Sequence, residues 1–139
     1  MSASVLTFTV PGKPTPQGSK RHVGNGILLE SSKELGPWRE RVALAAHNAM
    51  LKAGWTPFVK TAVALDLTFV MPRPVSTPMR TPPAIKRPDL DKLARGILDA
   101  MTHVCFDDDS AVVDLHLHKR IALVAETPGV VIELKEARP

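Results

Sequence analysis

Seven aspartates fall within residues 88–116, against only Lys92 and Arg95, and two tight groups of them have the donor chemistry of a divalent-cation site. The first is Asp89 with Asp91, in the run Pro88-Asp89-Leu90-Asp91-Lys92-Leu93, and the second is Asp107-Asp108-Asp109, followed by Ser110. Magnesium is a hard ion that takes oxygen ligands, usually one or two carboxylates with waters and substrate phosphate oxygens. Hydrolysis of a phosphodiester needs an activated water, neutralised phosphoryl oxygens and a stabilised leaving oxygen, and a carboxylate-held metal supplies all three. Carboxylates crowded together repel one another and raise their own pKa values unless a cation relieves them. Each group also has a plain structural reading. An aspartate at a helix start is a common cap, contributing about 0.5–2 kcal/mol, and a row of three is a polar turn. One cap accounts for Asp89 but leaves Asp91 and the three later aspartates without a reason. Arg95, four residues after Asp91, shares its helical face, where it either forms an ion pair with Asp91 or meets a phosphate.

Other chemistries are less well supplied. Asp114, His116 and His118 alternate along one strand face, a plausible transition-metal set that is equally at home on a solvated strand. The single cysteine, Cys105, lies in an apolar stretch where a buried thiol is the default, and it rules out an internal disulfide or a multi-cysteine zinc site. There is no Gly-x-Ser-x-Gly elbow, and Gly24-x-Gly26 does not lead from a strand into a helix as dinucleotide binding requires. The absence of tyrosine excludes every phosphotyrosine intermediate.

Charge is segregated along the chain. The 139 residues carry a formal net charge of +4, but residues 88–116 are net −5 while residues 1–58 and 73–87 are each net +4. An acidic island in a basic chain suits a protein that grips a polyanion and holds cations. The length fits one domain, residues 1–139, with 44% hydrophobic residues and no apolar run long enough to span a bilayer. The N-terminal residues lack the pattern of a secretory signal, so a cytoplasmic protein is expected.

The elements that must position these residues follow from periodicity. Leu6, Phe8 and Val10 alternate as a strand ended by Pro11-Gly12, and residues 11–26 read as a Gly/Pro loop bearing Lys13, Lys20 and Arg21. Pro37 suits the first turn of a helix running to about Lys52, with Gly54 as its stop. Val63, Leu65, Leu67, Phe69 and Met71 share one face of a second strand; residues 73–87 are a second irregular, basic, proline-rich segment. Leu90, Leu93, Ile97, Met101 and Val104 predict an amphipathic helix. Val113, Leu115 and Leu117 then predict a strand with one apolar face, and Val130, Ile132 and Leu134 a last one. The expected fold is α+β: one mainly four-stranded sheet with two helices packed on its apolar face, leaving the other face or an edge for a partner subunit.

The run Pro88-Asp89-Leu90-Asp91-Lys92-Leu93-x-Arg95, then Leu98-Asp99-Ala100, then Asp108-Asp109-Ser110-x-Val112-Val113, resembles the RusA family of Holliday junction resolvases. The match is tightest over about residues 86–120 and looser over the whole chain. The resemblance implies a homodimeric, magnesium-dependent endonuclease (manganese substituting) that resolves four-way DNA junctions by paired symmetric nicks in recombination and repair. It places the essential, metal-holding aspartates on Asp89, Asp91 and Asp109, with Asp108 one residue from the transferred position, and the helix's catalytic lysine on Arg95. Arginine keeps the charge but does not serve as a proton donor. The family's Asn and Gln at two flanking positions are Lys92 and Ala111 here. A two-fold junction requires two related nicks, which a C2 dimer supplies. Lys13, Lys20, Arg21, Arg73, Arg80, Lys86, Arg87, Lys119 and Arg120 are the expected phosphate contacts, with binding that falls steeply with salt. Rival readings are an endonuclease of flaps or other branched DNA, a DNA-binding protein without catalysis, and a metal-binding protein using His116 and His118.

Overall fold

The computed structural model describes residues 5–18, 20–22, 28–30 and 33–137, the two short stretches as backbone. The elements in order are β1 (Val5–Pro11), β2 (Lys20–His22), β3 (Leu28–Glu30), α1 (Leu35–Ala53), β4 (Val63–Met71), α2 (Leu90–Met101), β5 (Val112–Ile121) and β6 (Gly129–Glu136). A one-turn 3-10 helix, Asp109–Ala111, leads into β5. The four long strands form one sheet in the order β1-β6-β4-β5, and β2 pairs with β3 in a separate antiparallel hairpin. That hairpin corrects the sequence reading of residues 11–26 as loop alone. Lys20, Arg21 and His22 carry no apolar alternation to announce a strand.

β4 is the spine. Its Val63, Leu65, Leu67 and Phe69 are fully buried, beside Ile132 and Leu134 of β6 and Val10 of β1. Trp38, Val42, Ala46 and Met50 of α1 and Leu93, Ile97 and Met101 of α2 close that face. The spacings of four and three along each helix produce the stripe that meets the sheet. α1 begins at Leu35, two residues before Pro37, because Leu35 is itself buried. It ends where Gly54 adopts a left-handed φ of 70° and its N–H caps Leu51 and Met50.

β4 and β5 run parallel, so α2 is the crossover between them and travels the sheet in the opposite direction. β6 pairs antiparallel with both β1 and β4, filling the slot between the first strand and the spine. β5 is therefore an edge strand. The pairing registers Val63 with Val112 but Ala64 with Asp114, so Val113 is bulged out of the ladder. This departs from the expected apolar face: Val113 is 64% exposed and Leu115, beside Leu65, is 38% exposed.

Gly129 sits opposite Pro11 at the end of the β1–β6 ladder. A Cβ there would lie 2.3 Å from the Val10 carbonyl oxygen, whereas one at Gly36 in α1 meets nothing within 4 Å. Gly129→Ala is expected to destabilise the protein by about 1–3 kcal/mol, as overpacking does. Gly36→Ala is expected to stabilise it by up to about 1 kcal/mol. Urea unfolding of both variants beside the parent checks the pair.

Candidate active site

The sequence 72–88 carries the chain from the end of β4 to the start of α2, and Asp89 is the last residue before the helix. Its φ of −71° and ψ of 142° are those of a cap residue, yet its carboxylate makes no cap hydrogen bond. The structural role that best explained Asp89 is thus not taken up. Asp91 lies in the first helical turn, and both side chains are exposed.

Three restraints fix this helix start. Residues 15–18 lie along α2, with the Gln17 N–H donating to the Lys92 carbonyl at 3.0 Å. The Gln17 side-chain amide donates to Asp99, and its carbonyl accepts from Arg39 Nη1 at 3.3 Å, joining α2 to α1 through the loop. The approach is close enough that a Cβ on Gly96 would sit 3.4 Å from the Thr15 carbonyl. From the other side, Lys119 of β5 donates to the carbonyls of Lys86 and Pro88 at 2.9 and 2.8 Å. Between loop and helix lies a groove of about 420 Å³ lined by Lys13, Thr15, Glu34, Arg87, Asp89 and Lys92. Gln17, Arg39 and this use of Lys119 were not singled out from the sequence, because their partners are carbonyls or side chains distant along the chain.

Asp109 is not at this end of the molecule. It precedes Val112, the first residue of β5, whereas the carbonyl of Pro88 is held by Lys119, seven residues further along that strand. At about 3.3 Å per residue this separates Asp109 from Asp89 and Asp91 by roughly 20 Å. Among the described residues no three His, Cys, Asp or Glu side chains are grouped to hold a metal. Within one subunit the three expected metal-holding aspartates are thus not gathered: the parallel crossover puts Asp89 and Asp91 at one end of α2 and Asp109 at the other. Of the neighbouring candidates, Asp108 accepts a hydrogen bond from the Ser110 hydroxyl, which holds its carboxyl below the ordinary range. That bond gives Asp108 a turn-forming role.

The basic residues divide into two sets. Arg73 donates to Thr81 Oγ1 at 2.8 Å, to the Ala122 carbonyl at 3.1 Å and to the carbonyls of Pro78 and Met79, so its guanidinium is a brace for the loop. Arg120 forms a two-pronged pair with Glu126 at 2.6 and 2.7 Å, and this pairing pulls Glu126 down to about 2. With Lys119, these are three expected phosphate contacts that the structure engages internally. Lys13 stands 4.0 Å from Glu34. Arg80, Lys86 and Arg87 are exposed on the 72–88 segment. The side chains of Lys20 and Arg21 lie outside the described residues. The Arg95 guanidinium packs over Gly18, 2.7 Å from where a Cβ would stand. Among the described residues it forms no ion pair with Asp91.

On the sheet's outer face, His116 Nε2 lies 3.0 Å from Asp114 Oδ1, and His118 Nε2 lies 3.7 Å from Asp66 Oδ2. These are separate pairs. Cys105 is fully buried, which pushes its thiol up to about 12 and removes it as a nucleophile.

The family model described as endodeoxyribonuclease RusA matches residues 11–135. The chain is also 27% identical to the uncharacterised protein YqaN of Bacillus subtilis (strain 168), over 94% of this chain and 96% of that protein.

The Arg120–Glu126 pair has a pH signature. Glu126 titrates near 2 in the folded protein against an ordinary 4.5, so its contribution to stability is present above 4.5 and lost as pH falls toward 2. Thermal unfolding is expected to show Glu126→Gln melting below the parent at neutral pH, with the gap closing across that acid window.

Proposed function

The chain belongs to the RusA family of endodeoxyribonucleases, and from that premise we propose that it is a magnesium-dependent, homodimeric resolvase that nicks four-way DNA junctions symmetrically. The observation that carries this reading is a pair of exposed carboxylates, Asp89 and Asp91, without a capping role and set beside a groove that contains Lys13, Arg87 and Lys92. Two carboxylates with waters and phosphate oxygens are a sufficient donor set for magnesium. The ion, when bound, offsets charge on the phosphoryl group and lowers the pKa of a coordinated water.

The chain's own residues do the positioning. Lys13, Arg80, Lys86 and Arg87 hold backbone phosphates, with Lys20 and Arg21 assigned to the same task from their place in the sequence. Arg95, held over Gly18 on the Asp91 face of α2, offsets negative charge on the phosphate and donates no proton. Lys119 and Gln17 keep the helix start in place, and Lys119, Arg73 and Arg120 leave the set of direct phosphate contacts.

Asp109 enters from the second copy. β5 is a ten-residue strand at the sheet edge, with Val113 and Leu115 exposed along it. A long unpaired edge is normally paired or covered. A two-fold axis near the middle of β5 sets the edges of two copies antiparallel. It thereby brings the Asp109 end of one copy to the Asp89 and Asp91 end of the other. The separation of about 20 Å within a subunit then becomes the spacing that closes two equivalent sites in a dimer.

Asp89→Asn and Asp91→Asn are expected to leave junction binding within a few-fold of the parent. Loss of an outer-shell metal partner costs about 10–100-fold, so loss of a ligand is expected to lower magnesium-dependent nicking by more than about 100-fold. Side-by-side assays on synthetic junctions, flaps and plain duplex check the substrate, and equal cleavage of flaps moves the assignment to branched DNA in general. Full nicking by Asp89→Asn overturns the role given to that carboxylate.

A mixing experiment tests the shared site. Asp89→Asn and Asp109→Asn are each expected to be inactive alone. After subunit exchange, heterodimers hold one intact site, so nicking is expected to return at about a quarter of the parental sites. No recovery in a mixture proven to have exchanged contradicts assembly across the dimer.

A further inference from the structure

Residues 67–88 contain no acid, and their irregular part carries Arg73, Arg80, Lys86 and Arg87 among Pro72, Pro74, Pro78, Pro82 and Pro83. Such a segment gains rigidity from proline and from its ties to the fold. The Arg73 guanidinium binds it at Pro78, Met79 and Thr81 and anchors it to Ala122 beyond β5. The Thr77 N–H closes a turn on the Pro74 carbonyl at 3.0 Å, and Lys119 secures the carbonyl of Lys86. Three large apolar side chains of this braced loop project into solvent, Val75, Met79 and Ile85, and of these Met79 and Ile85, each 86% exposed, adjoin charge. Each is followed directly by cations: Met79 by Arg80, and Ile85 by Lys86 and Arg87.

A single exposed apolar side chain needs no explanation, but apolar groups rimmed by charge on a held loop mark an interaction surface. The cations select a polyanion, and the loop runs through Arg87 and Pro88, which line the groove with Asp89, into the helix start that bears the two carboxylates. Apolar wedges of this kind enter between base steps, partly unstack them and kink the duplex. Unstacking is least costly where pairing or stacking is already interrupted. Resting on the junction reading above, we infer that Met79 and Ile85 are a stacking wedge: they insert at the branch point, while Arg80, Lys86 and Arg87 hold the flanking phosphates. The loop thereby selects branched over continuous duplex through the energy of deforming the DNA. It does so in a chain whose aromatic content is only 4%.

The test uses the full-length protein in EDTA, so that binding is read without cleavage. Four-way junctions carry 2-aminopurine either next to the branch point or in mid-arm. The parent is expected to raise fluorescence at the branch position and leave the mid-arm position unchanged. The double variant Met79→Ser/Ile85→Ser is expected to bind junctions with the parental salt slope, lose the branch-point rise, and lose its preference for junction over duplex. Val124→Ser, which removes an exposed apolar group outside the loop, is expected to keep all three. Parental binding without a fluorescence rise, or a rise retained by the double variant, overturns the wedge and leaves the endonuclease reading standing. Failure of the parent to bind branched DNA overturns both. A double variant that sediments as a monomer where the parent is a dimer also overturns the wedge, because the loop is then a contact between copies.

Discussion

Parallel pairing of β4 with β5 obliges the intervening chain to return the full length of the sheet, and α2 is that return. Whatever stands at the start of α2 is therefore separated from whatever precedes β5 by the length of the helix. Asp89 and Asp91 occupy the first position and Asp109 the second. Twelve helical residues at 1.5 Å each span about 18 Å, and no side-chain rotamer bridges that distance. The proposed site takes its third carboxylate from a second copy set against the edge of β5. On the proposed reading dimerisation belongs to the chemistry, because one subunit presents two of the three carboxylates at one end of α2 and the third at the other.

Much of the remaining structure serves to hold one helix start still. Gln17 bridges Asp99 and Arg39, Lys119 binds the carbonyls of Lys86 and Pro88, and Arg73 pins the loop that precedes them. Each of these bonds has a charged partner, the stronger kind of hydrogen bond. Positive charge in this protein thus has two uses. Some is spent inward, on carbonyls and on Glu126, and shapes the site. The rest stays outward: Arg80, Lys86 and Arg87 are exposed, and Lys13 and Arg87 line the groove with Asp89.

The sequence made the layers of the fold legible where burial imposes a period. β4 shows this best: Val63, Leu65, Leu67 and Phe69 alternate because one face of the spine is sealed by two helices. α2 was equally readable from Leu93, Ile97 and Met101. β5 was readable only as an element. Its bulge at Val113 and the thin cover over Leu115 broke the apolar face that alternation suggested. The acidic residues themselves were apparent from composition and spacing, but their separation was not, since alternation says nothing about strand direction. One clue was present: a strand, a long helical crossover and a strand favour parallel pairing. The inward roles of Arg73, Lys119 and Arg120 left no trace, because a lysine bound for a backbone carbonyl looks like one bound for a phosphate.

The claim at the centre is that Asp91 of one copy faces Asp109 of another, and cross-linking tests it without reference to catalysis. A disulfide forms only where Cα atoms approach within about 7 Å, and the native Cys105 is fully buried and does not compete. Chains bearing Asp91→Cys are mixed with chains bearing Asp109→Cys, allowed to exchange, oxidised and separated under denaturing, non-reducing conditions. A covalent dimer is expected from the mixture and none from either chain alone. A mixture that exchanges subunits yet yields only monomer would contradict that claim.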